Sequence, residues 1–303
     1  NWGCIPTKSF LRSAEVLKII KSSEKYGIKS ELGHIDIREV VKRSRSIAKK
    51  LSNGVEYLLN KNKVKIFYGE ASFKSSKSIK ITSKTNTIKE ISSENICIAS
   101  GGRPREISGI SNPNSVWFYK EALQVDKIPN KLLVVGSGAI GVEFASFFAQ
   151  MGSDVSLLES KSTILPNEDL DVSNFVEKQF LDRGIKIYKN HSLLSFREKG
   201  DLFEAELKSK DKMLSLEFEK AILAVGIVGN IENLNLEGVN IKCSNGSILV
   251  DEFCRTNVDN IYAIGDVASP PWLAHKASHE GISVAEQVAG LDVHPIKKDR
   301  IPA

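Results

Sequence analysis

The middle of the chain carries the segment Leu132-Leu133-Val134-Val135-Gly136-Ser137-Gly138-Ala139-Ile140-Gly141, in which four apolar residues lead into three glycines. An apolar helical pattern continues to Met151, and Gly152 is expected to end it. The next segment, Val155 to Glu159, has the pattern of a buried strand that ends in an acidic residue. This order of strand, glycine turn, helix and strand predicts a βαβ unit that binds a dinucleotide.

Each part of this unit has a physical reason. Gly136 is expected to make the tight turn, Gly138 to let the backbone approach a pyrophosphate, and Gly141 to let helix and strand pack closely. The helix N-terminus would face the phosphates. Glu159 would accept both ribose hydroxyls and repel a 2′-phosphate, which favours NAD over NADP. A tight turn that binds no nucleotide is the alternative. The predicted NAD contacts from this unit are Gly136, Ser137, Gly138, Ala139, Ile140, Gly141, Val142, Glu143 and Glu159.

The start of the sequence, Asn1-Trp2-Gly3-Cys4-Ile5-Pro6-Thr7-Lys8, opens an amphipathic segment. Its pattern predicts that Cys4 lies at a helix N-terminus, where free N–H groups and the helix dipole favour the thiolate. The other cysteines, Cys97, Cys243 and Cys254, have no zinc-ligand spacing and are interpreted as structural. Cys97 lies in an apolar run and is predicted to be a buried strand residue.

The remaining segments predict mixed α/β structure. Helices are expected over residues 1–25, ended by Gly27, from a capping-box-like start at Asp36 and Glu39 to about Asn62, over 170–183 and over 273–291. Strands are expected at 64–68, 78–82 and 87–91 as a small antiparallel sheet, at 96–99, at 185–188, at 203–207 and 213–218 as a hairpin, at 221–226 and at 261–266.

Composition narrows the classes of function. The length of 303 residues allows two domains, and the net charge of +5 comes from scattered lysines, so nucleic-acid binding is not expected. No run of apolar residues is long enough to cross a membrane, so no membrane partner is expected. His275 and His279 stand one helical turn apart, but no third ligand is evident, so no metal site is expected.

Four motifs together resemble the flavin-dependent pyridine nucleotide–disulfide oxidoreductases, and within them the dihydrolipoamide dehydrogenases. They are Cys4-Ile5-Pro6-Thr7-Lys8, the glycine segment with Glu159, the segment 256–266 that ends in Asp266, and the segment 272–277. The resemblance implies two Rossmann-like dinucleotide-binding domains, with an NAD-binding domain (128–247) inserted into an FAD-binding domain (1–127 and 248–303). It also implies a second cysteine five positions before Cys4 and a C-terminal interface domain. The sequence is therefore expected to lack both ends of the family pattern.

The resemblance also assigns site residues. Cys4, Lys8 and Glu143 would be catalytic, with Lys8 near the flavin and paired with Glu143. Asp266 by itself reads equally well as a hydroxyl acceptor or a helix N-cap, and the resemblance favours the acceptor. The implied FAD contacts are Lys8, Ala71, Ser100, Gly101, Gly102, Asp266, Trp272, Leu273, Ala274 and His275, and the further NAD contacts are Leu193 and Gly226.

The function implied is oxidation of protein-bound dihydrolipoamide to lipoamide with NAD⁺, through FAD and a redox disulfide that contains Cys4. Residues 1–303 alone would be inactive. Expected partners are the lipoyl domain of a 2-oxo acid dehydrogenase or glycine cleavage complex and a second copy of the full-length chain. The expected location is the cytoplasm, or an organelle matrix in a eukaryote. The alternatives are a mercuric or other disulfide reductase and a non-catalytic module that binds FAD or NAD.

Overall fold

The structure, a computed structural model, describes residues 1–107, 109–110, 115–210 and 212–302. The helices are α1 (Cys4–Lys21), α2 (Ile37–Lys61), α3 (Tyr119–Ala122), α4 (Ala139–Met151), α5 (Leu170–Asp182) and α6 (Ala274–Val288). The strands are β1 (Glu70–Ser75), β2 (Ser78–Thr82), β3 (Ile88–Ser92), β4 (Ile96–Ile98), β5 (Gly102–Pro104), β6 (Val116–Trp117), β7 (Lys131–Val135), β8 (Asp154–Leu158), β9 (Lys186–Tyr188), β10 (Ser192–Lys199), β11 (Leu202–Ser209), β12 (Lys212–Phe218), β13 (Lys220–Leu223), β14 (Ile227–Gly229), β15 (Cys243–Ser244), β16 (Ser247–Ile248) and β17 (Ile261–Ala263).

The predicted α/β fold is confirmed. The chain forms two compact units, the first from residues 1–63 and 104–226 and the second from residues 64–103 and 227–303. These units group residues by their packing, whereas the expected domain limits at residues 127 and 247 describe cofactor domains and stay a prediction.

A five-stranded parallel sheet forms the centre of the first unit, in the order β6-β13-β7-β8-β9. Strand β7 lies in the middle, and Leu132 to Val135 are all buried, as expected for a parallel strand covered on both faces. The chain leaves β7 for β8 on one side, while β13 lies on the other. The carboxyl ends of β7 and β13 therefore form a topological switch point, the usual place for a ligand in an open α/β sheet.

Helix α4 packs on this sheet and also contacts helix α1. The rings of Phe10 and Phe147 lie 4.6 Å apart between centroids, and both side chains are buried. Gly152 ends α4 in the left-handed conformation (φ 108°), as predicted from the sequence. The contact between α1 and α4 could not be predicted from local patterns, because it joins residues more than a hundred positions apart in the sequence.

Helix α2 begins where the sequence predicts. The carboxylate of Asp36 accepts hydrogen bonds from the N–H groups of Arg38 (2.9 Å) and Glu39 (3.4 Å). Glu39 does not complete a reciprocal capping box, because its carboxylate binds Lys42 at 2.9 Å instead. The predicted hairpin at 203–207 and 213–218 is confirmed as β11 and β12, and the unpredicted strand β10 pairs with β11 to make a three-stranded antiparallel sheet.

The second unit begins with the antiparallel sheet β1-β2-β3. The predicted strand at residues 64–68 is wrong, and the first strand lies at Glu70–Ser75 instead. The chain passes so close to β2 at Gly69 that a Cβ atom there would lie 2.6 Å from the carbonyl oxygen of Thr82, and pairing begins with Glu70 and Thr82. The alternating pattern at 64–68 has no described strand beside it, and a strand needs a partner.

Strands β4 and β17 form a parallel pair in this unit. Ile98, Ile261 and Ala263 are buried beside it. The prediction that Cys97 is buried is wrong: Cys97 lies in β4 but is exposed, since side chains alternate along a strand and Cys97 is on the face opposite that of the buried Ile98. Strand β17 leads into a short 3₁₀ turn, Gly265–Val267, and then toward helix α6. No helix in the described part of the chain combines the length and the apolar character needed to span a bilayer.

Candidate thiol and dinucleotide site

Cys4 is the first residue of helix α1, as predicted, and its side chain is exposed. No side chain caps this helix end. The hydroxyl and the N–H of Thr7 both donate to the carbonyl oxygen of Gly3, at 2.9 and 3.2 Å, and fix the first turn. The thiol therefore lies at the N-terminus of an 18-residue helix, which is the positive end of the helix dipole.

The predicted ion pair between Lys8 and Glu143 is present, and it joins helix α1 to helix α4. The Lys8 side chain is 63% exposed and that of Glu143 24% exposed. At this exposure an ion pair contributes about 1 kcal/mol or less to stability. The ion pair matters because it fixes the position of Lys8, one helical turn from Cys4, against the helix that begins at the glycine turn.

The glycine turn follows β7, and its three glycines face different surroundings. A Cβ atom on Gly136 would lie 2.4 Å from the carbonyl oxygen of Ala224, and one on Gly141 would lie 1.9 Å from that of Gly136. A Cβ atom on Gly138 would meet nothing within 4 Å. The packing of the chain therefore requires Gly136 and Gly141. Gly138 instead leaves open space at the N-terminus of α4, which has no side-chain cap. This space suits a phosphate group.

Glu159 lies directly beside this turn and is buried. One carboxylate oxygen accepts from the N–H (3.0 Å) and hydroxyl (2.6 Å) of Ser137. The other accepts from the hydroxyl of Ser160 (3.1 Å) and the N–H of Lys161 (2.8 Å). Burial would raise the pKa of Glu159, but the hydrogen bonds from Ser137, Lys161 and Ser160 hold that pKa below its usual value. Glu159 is thus ionised at neutral pH.

The same hydrogen bonds bear on whether a ribose can bind. A carboxylate has about four acceptor positions, and the chain fills all four in this structure. Two of the donors are serine hydroxyls, which can rotate and release an acceptor position, whereas the two N–H groups are fixed. The residues therefore fit a ribose whose hydroxyls replace those of Ser137 and Ser160.

Leu165 also belongs to this region, and sequence reasoning did not find it. Its N–H donates to the carbonyl oxygen of Ser137 at 3.0 Å, and its φ of 47° is unusual for a leucine. The segment after Glu159 therefore folds back onto the glycine turn. No motif in the sequence indicates this, because a leucine before a proline is not a typical left-handed residue.

The other predicted NAD contacts occupy distinct places. Ala139, Ile140 and Val142 lie in the first turn and a half of α4. Gly226 follows β13 with a φ of 108°, and its carbonyl oxygen accepts from the N–H of Arg105 at 3.0 Å. Leu193 lies in β10 opposite Leu207 and packs on the core of that antiparallel sheet. Their role in binding NAD stays a prediction.

In the second unit, Ser100 and Gly101 are held by Asn230. The Ser100 hydroxyl donates to the backbone carbonyl oxygen of Asn230 at 2.8 Å. The side-chain amide of Asn230 donates in return to the backbone carbonyl oxygen of Ser100 at 2.9 Å. Gly101 has a φ of 75°, and a Cβ atom on Gly102 would lie 3.3 Å from the Cβ of Asp266. Gly102 thus lies beside Asp266, and the role of these residues in binding FAD stays a prediction. Ala71 lies in β1, exposed and opposite Ile81.

Asp266 is half-buried, and its carboxylate accepts no hydrogen bond from the described residues. Burial raises its pKa, the charge of Lys276 lowers it in part, and Glu280 raises it further. A half-buried carboxylate that accepts no hydrogen bond from the protein is suited to accept one from a hydroxyl group of a ligand. Asp266 is not the N-cap of α6, since Leu273 holds that position.

Helix α6 begins at Ala274, close to the predicted start, and no side chain caps it. The indole N–H of Trp272 donates to the carbonyl oxygen of Ala268 at 3.3 Å. His275 Nε2 donates to the carbonyl oxygen of Pro302 at 2.9 Å, and in the described part of the chain neither His275 nor His279 joins two further metal-ligating side chains. The uncapped first turn of α6, with Asp266 nearby in the same unit, fits one edge of a dinucleotide.

Comparison with known proteins shows which family this chain resembles. Residues 1–281 match the family model of the pyridine nucleotide-disulphide oxidoreductases. The dihydrolipoyl dehydrogenase of Zymomonas mobilis is 44% identical over 305 residues, a match that covers 100% of this chain and 66% of that protein. The one from Rhizobium etli is 40% identical over 321 residues, with the same two coverages. The chain thus spans slightly less than two thirds of the length of these relatives.

Two solved structures share the fold. LpdA from Mycobacterium tuberculosis matches with a TM-score of 0.89 and 25% identity, over 97% of this chain and 64% of that one. The HOCl-induced flavoprotein disulfide reductase RclA from Escherichia coli matches with a TM-score of 0.81 and 25% identity, over 97% and 63%. Enzymes of the matched family use FAD and NAD(H), the cofactors that the sequence predicts. With its thiol at a helix start and its glycine turn after a buried parallel strand, the chain belongs to the pyridine nucleotide-disulphide oxidoreductase family.

Proposed function

We propose that the protein carrying this sequence is a flavin-dependent disulfide oxidoreductase that oxidises protein-bound dihydrolipoamide with NAD⁺, the dihydrolipoyl dehydrogenase reaction (EC 1.8.1.4). One observation carries the proposal: helix α1, which begins at Cys4, packs against helix α4, which begins at the glycine turn. The contact of Phe10 with Phe147 and the pair of Lys8 with Glu143 join the helix of Cys4 to the helix of the glycine turn within one compact unit. The names of the relatives support the substrate.

The reaction balances as a two-electron transfer. The dithiol loses two electrons and two protons as its S–S bond forms, NAD⁺ takes up a hydride, and the second proton goes to solvent. FAD, when bound, supplies the electron relay between thiol and nicotinamide. Cys4 would provide the thiolate on the flavin side, and Lys8 would keep a positive charge one helical turn away. The second thiol of the disulfide would be the cysteine that the resemblance puts five positions before Cys4.

The nucleotide would be NAD rather than NADP. The open space at Gly138 and the uncapped end of α4 would hold the pyrophosphate, and Glu159 would take the ribose hydroxyls. An ionised carboxylate in this position opposes a 2′-phosphate. Ser100, Gly101, Gly102 and Asp266, together with residues 272–275, would hold FAD.

The same proposal covers partners and location. The substrate would arrive on the lipoyl domain of a 2-oxo acid dehydrogenase or glycine cleavage complex. The protein would act as a homodimer in the cytoplasm, or in an organelle matrix in a eukaryote. Residues 1–303 alone would be inactive and hold FAD poorly.

The test is dihydrolipoamide-driven reduction of NAD⁺ by the native-length protein, with NADP⁺ as the control acceptor and residues 1–303 as a second sample. We expect turnover by the native-length protein with NAD⁺ and little with NADP⁺ or with residues 1–303. Normal turnover and tight FAD binding by residues 1–303 would contradict the inactivity. A native-length protein that binds FAD but does not oxidise dihydrolipoamide would contradict the substrate and leave another disulfide reductase, for which the likeness to RclA provides a precedent. A protein without FAD would leave the non-catalytic module.

A further inference from the structure

A buried lysine near the start of helix α6 is unfavourable for two physical reasons. Lys276 is 2% exposed as a residue and is the third residue of the helix, where the dipole opposes a positive charge. Burial of an ammonium group is itself costly unless the group is paired. Departures of this kind are retained where a site requires them.

Among the described residues, Lys276 forms an ion pair with Glu280, one helical turn later. The Nζ of Lys276 lies 2.7 Å from Oε1 of Glu280, and the side chains are 1% and 3% exposed. This contact is short but poorly aligned for a hydrogen bond, and no other hydrogen bond reaches Nζ from the described residues. The lysine therefore serves mainly as a buried charge.

The second oxygen of Glu280 connects the pair to the turn that precedes the helix. Oε2 accepts from the N–H of Gly265 at 2.7 Å. Gly265 is in the left-handed conformation (φ 70°), and a Cβ atom there would lie 3.4 Å from the Cβ of Ala277. The turn thus rests on one face of α6 and is tied to it by the Glu280 carboxylate.

Asp266, the next residue in this turn, has no hydrogen-bond donor in the described chain, and Lys276 is the cation that acts on it. The geometry points to Lys276 and Glu280 as positioning residues, which tie the Gly265–Asp266 turn to α6 and keep the Asp266 carboxylate free for a hydroxyl group of FAD. This inference rests on the proposed function. In this inference the buried pair Lys276–Glu280 supports Asp266, which would contact the cofactor.

The experiment measures the dissociation constant for FAD of the native-length apoprotein, from the quenching of flavin fluorescence. Three variants are compared with the wild type: Glu280→Gln, Lys276→Met and the double variant. Glu280→Gln retains an acceptor for the N–H of Gly265 but leaves a buried, unpaired cation. The exposed pair Glu39–Lys42 on α2 supplies the matched control, as Glu39→Gln with Lys42→Met.

We expect each single variant to bind FAD at least about ten-fold more weakly, and the double variant to lie between them and the wild type, because removing both charges leaves none unpaired. The control variant should bind as the wild type does. A purely structural role would lower the unfolding temperature but leave the dissociation constant unchanged at a temperature where all variants are folded.

Equal dissociation constants in wild type and folded variants would overturn the inference while leaving the proposed function intact. So would an equal loss in the exposed control. If the single variants do not fold, the double variant decides: weaker FAD binding supports the inference, and wild-type binding overturns it. A wild type without FAD binding would instead reject the proposed function.

Discussion

Glu159 is the residue at which the choice of nucleotide can be tested. Its carboxylate is ionised and faces the glycine turn through Ser137. Near a protein surface, two like charges about 4 Å apart repel each other by about 4 kcal/mol. We therefore expect Glu159→Gln to lower the preference for NAD⁺ over NADP⁺ at least about ten-fold, measured as the ratio of kcat/KM values in the native-length protein.

Glu168 provides the control for this prediction. It lies on the same segment after β8 but is exposed, so Glu168→Gln should leave the ratio unchanged. A Glu159→Gln variant that keeps the full preference for NAD⁺ would mean that the selectivity arises elsewhere.

At the scale of elements, the junction of β7 with α4 separates packing from ligand binding. Gly141→Ala would push a Cβ atom to 1.9 Å from the carbonyl oxygen of Gly136, so the backbone must move. We expect it to lower the free energy of unfolding by about 1–3 kcal/mol and to weaken NAD binding.

Gly138→Ala should cost about 1 kcal/mol or less in unfolding free energy, because nothing lies within 4 Å. It should nevertheless raise the KM for NAD⁺ about ten-fold or more, because the new methyl group would occupy the space of the phosphate.

These two variants are measured by chemical unfolding and by steady-state kinetics of the native-length protein. Unchanged NAD⁺ kinetics in Gly138→Ala would show that the open space is not the phosphate site. Wild-type stability in Gly141→Ala would show that the close approach of helix and strand is not required.

The elements that the sequence could predict are those with local signals. The buried strand β7, the glycine turn and the stop at Gly152 were all predicted, because each depends on residues next to one another. Strand β10 was missed and the strand at 64–68 was misplaced, because pairing depends on distant residues such as Thr82. The ion pair of Lys8 with Glu143 was predicted only through the family resemblance.

At the scale of the whole molecule, the site residues are divided between the two compact units. Cys4, the glycine turn and Glu159 belong to the first unit, and Asp266 with helix α6 belongs to the second. Motifs in the sequence indicated all of these. They did not indicate Leu165, because its contact with Ser137 joins residues far apart in the sequence. The spacing of Lys276 and Glu280 is local, but no sequence pattern shows that this pair is buried against Gly265.

In the proposed reaction Cys4 passes electrons from the redox disulfide to FAD, whereas NADH would reduce bound FAD without this thiol. The most direct measurement compares wild type with Cys4→Ser in the native-length protein, by dihydrolipoamide-driven reduction of NAD⁺ and by anaerobic reduction of bound FAD with NADH. We predict that Cys4→Ser loses the first reaction and keeps the second, since a hydroxyl cannot replace a thiolate in disulfide exchange. Retained oxidation of dihydrolipoamide in Cys4→Ser would contradict the account.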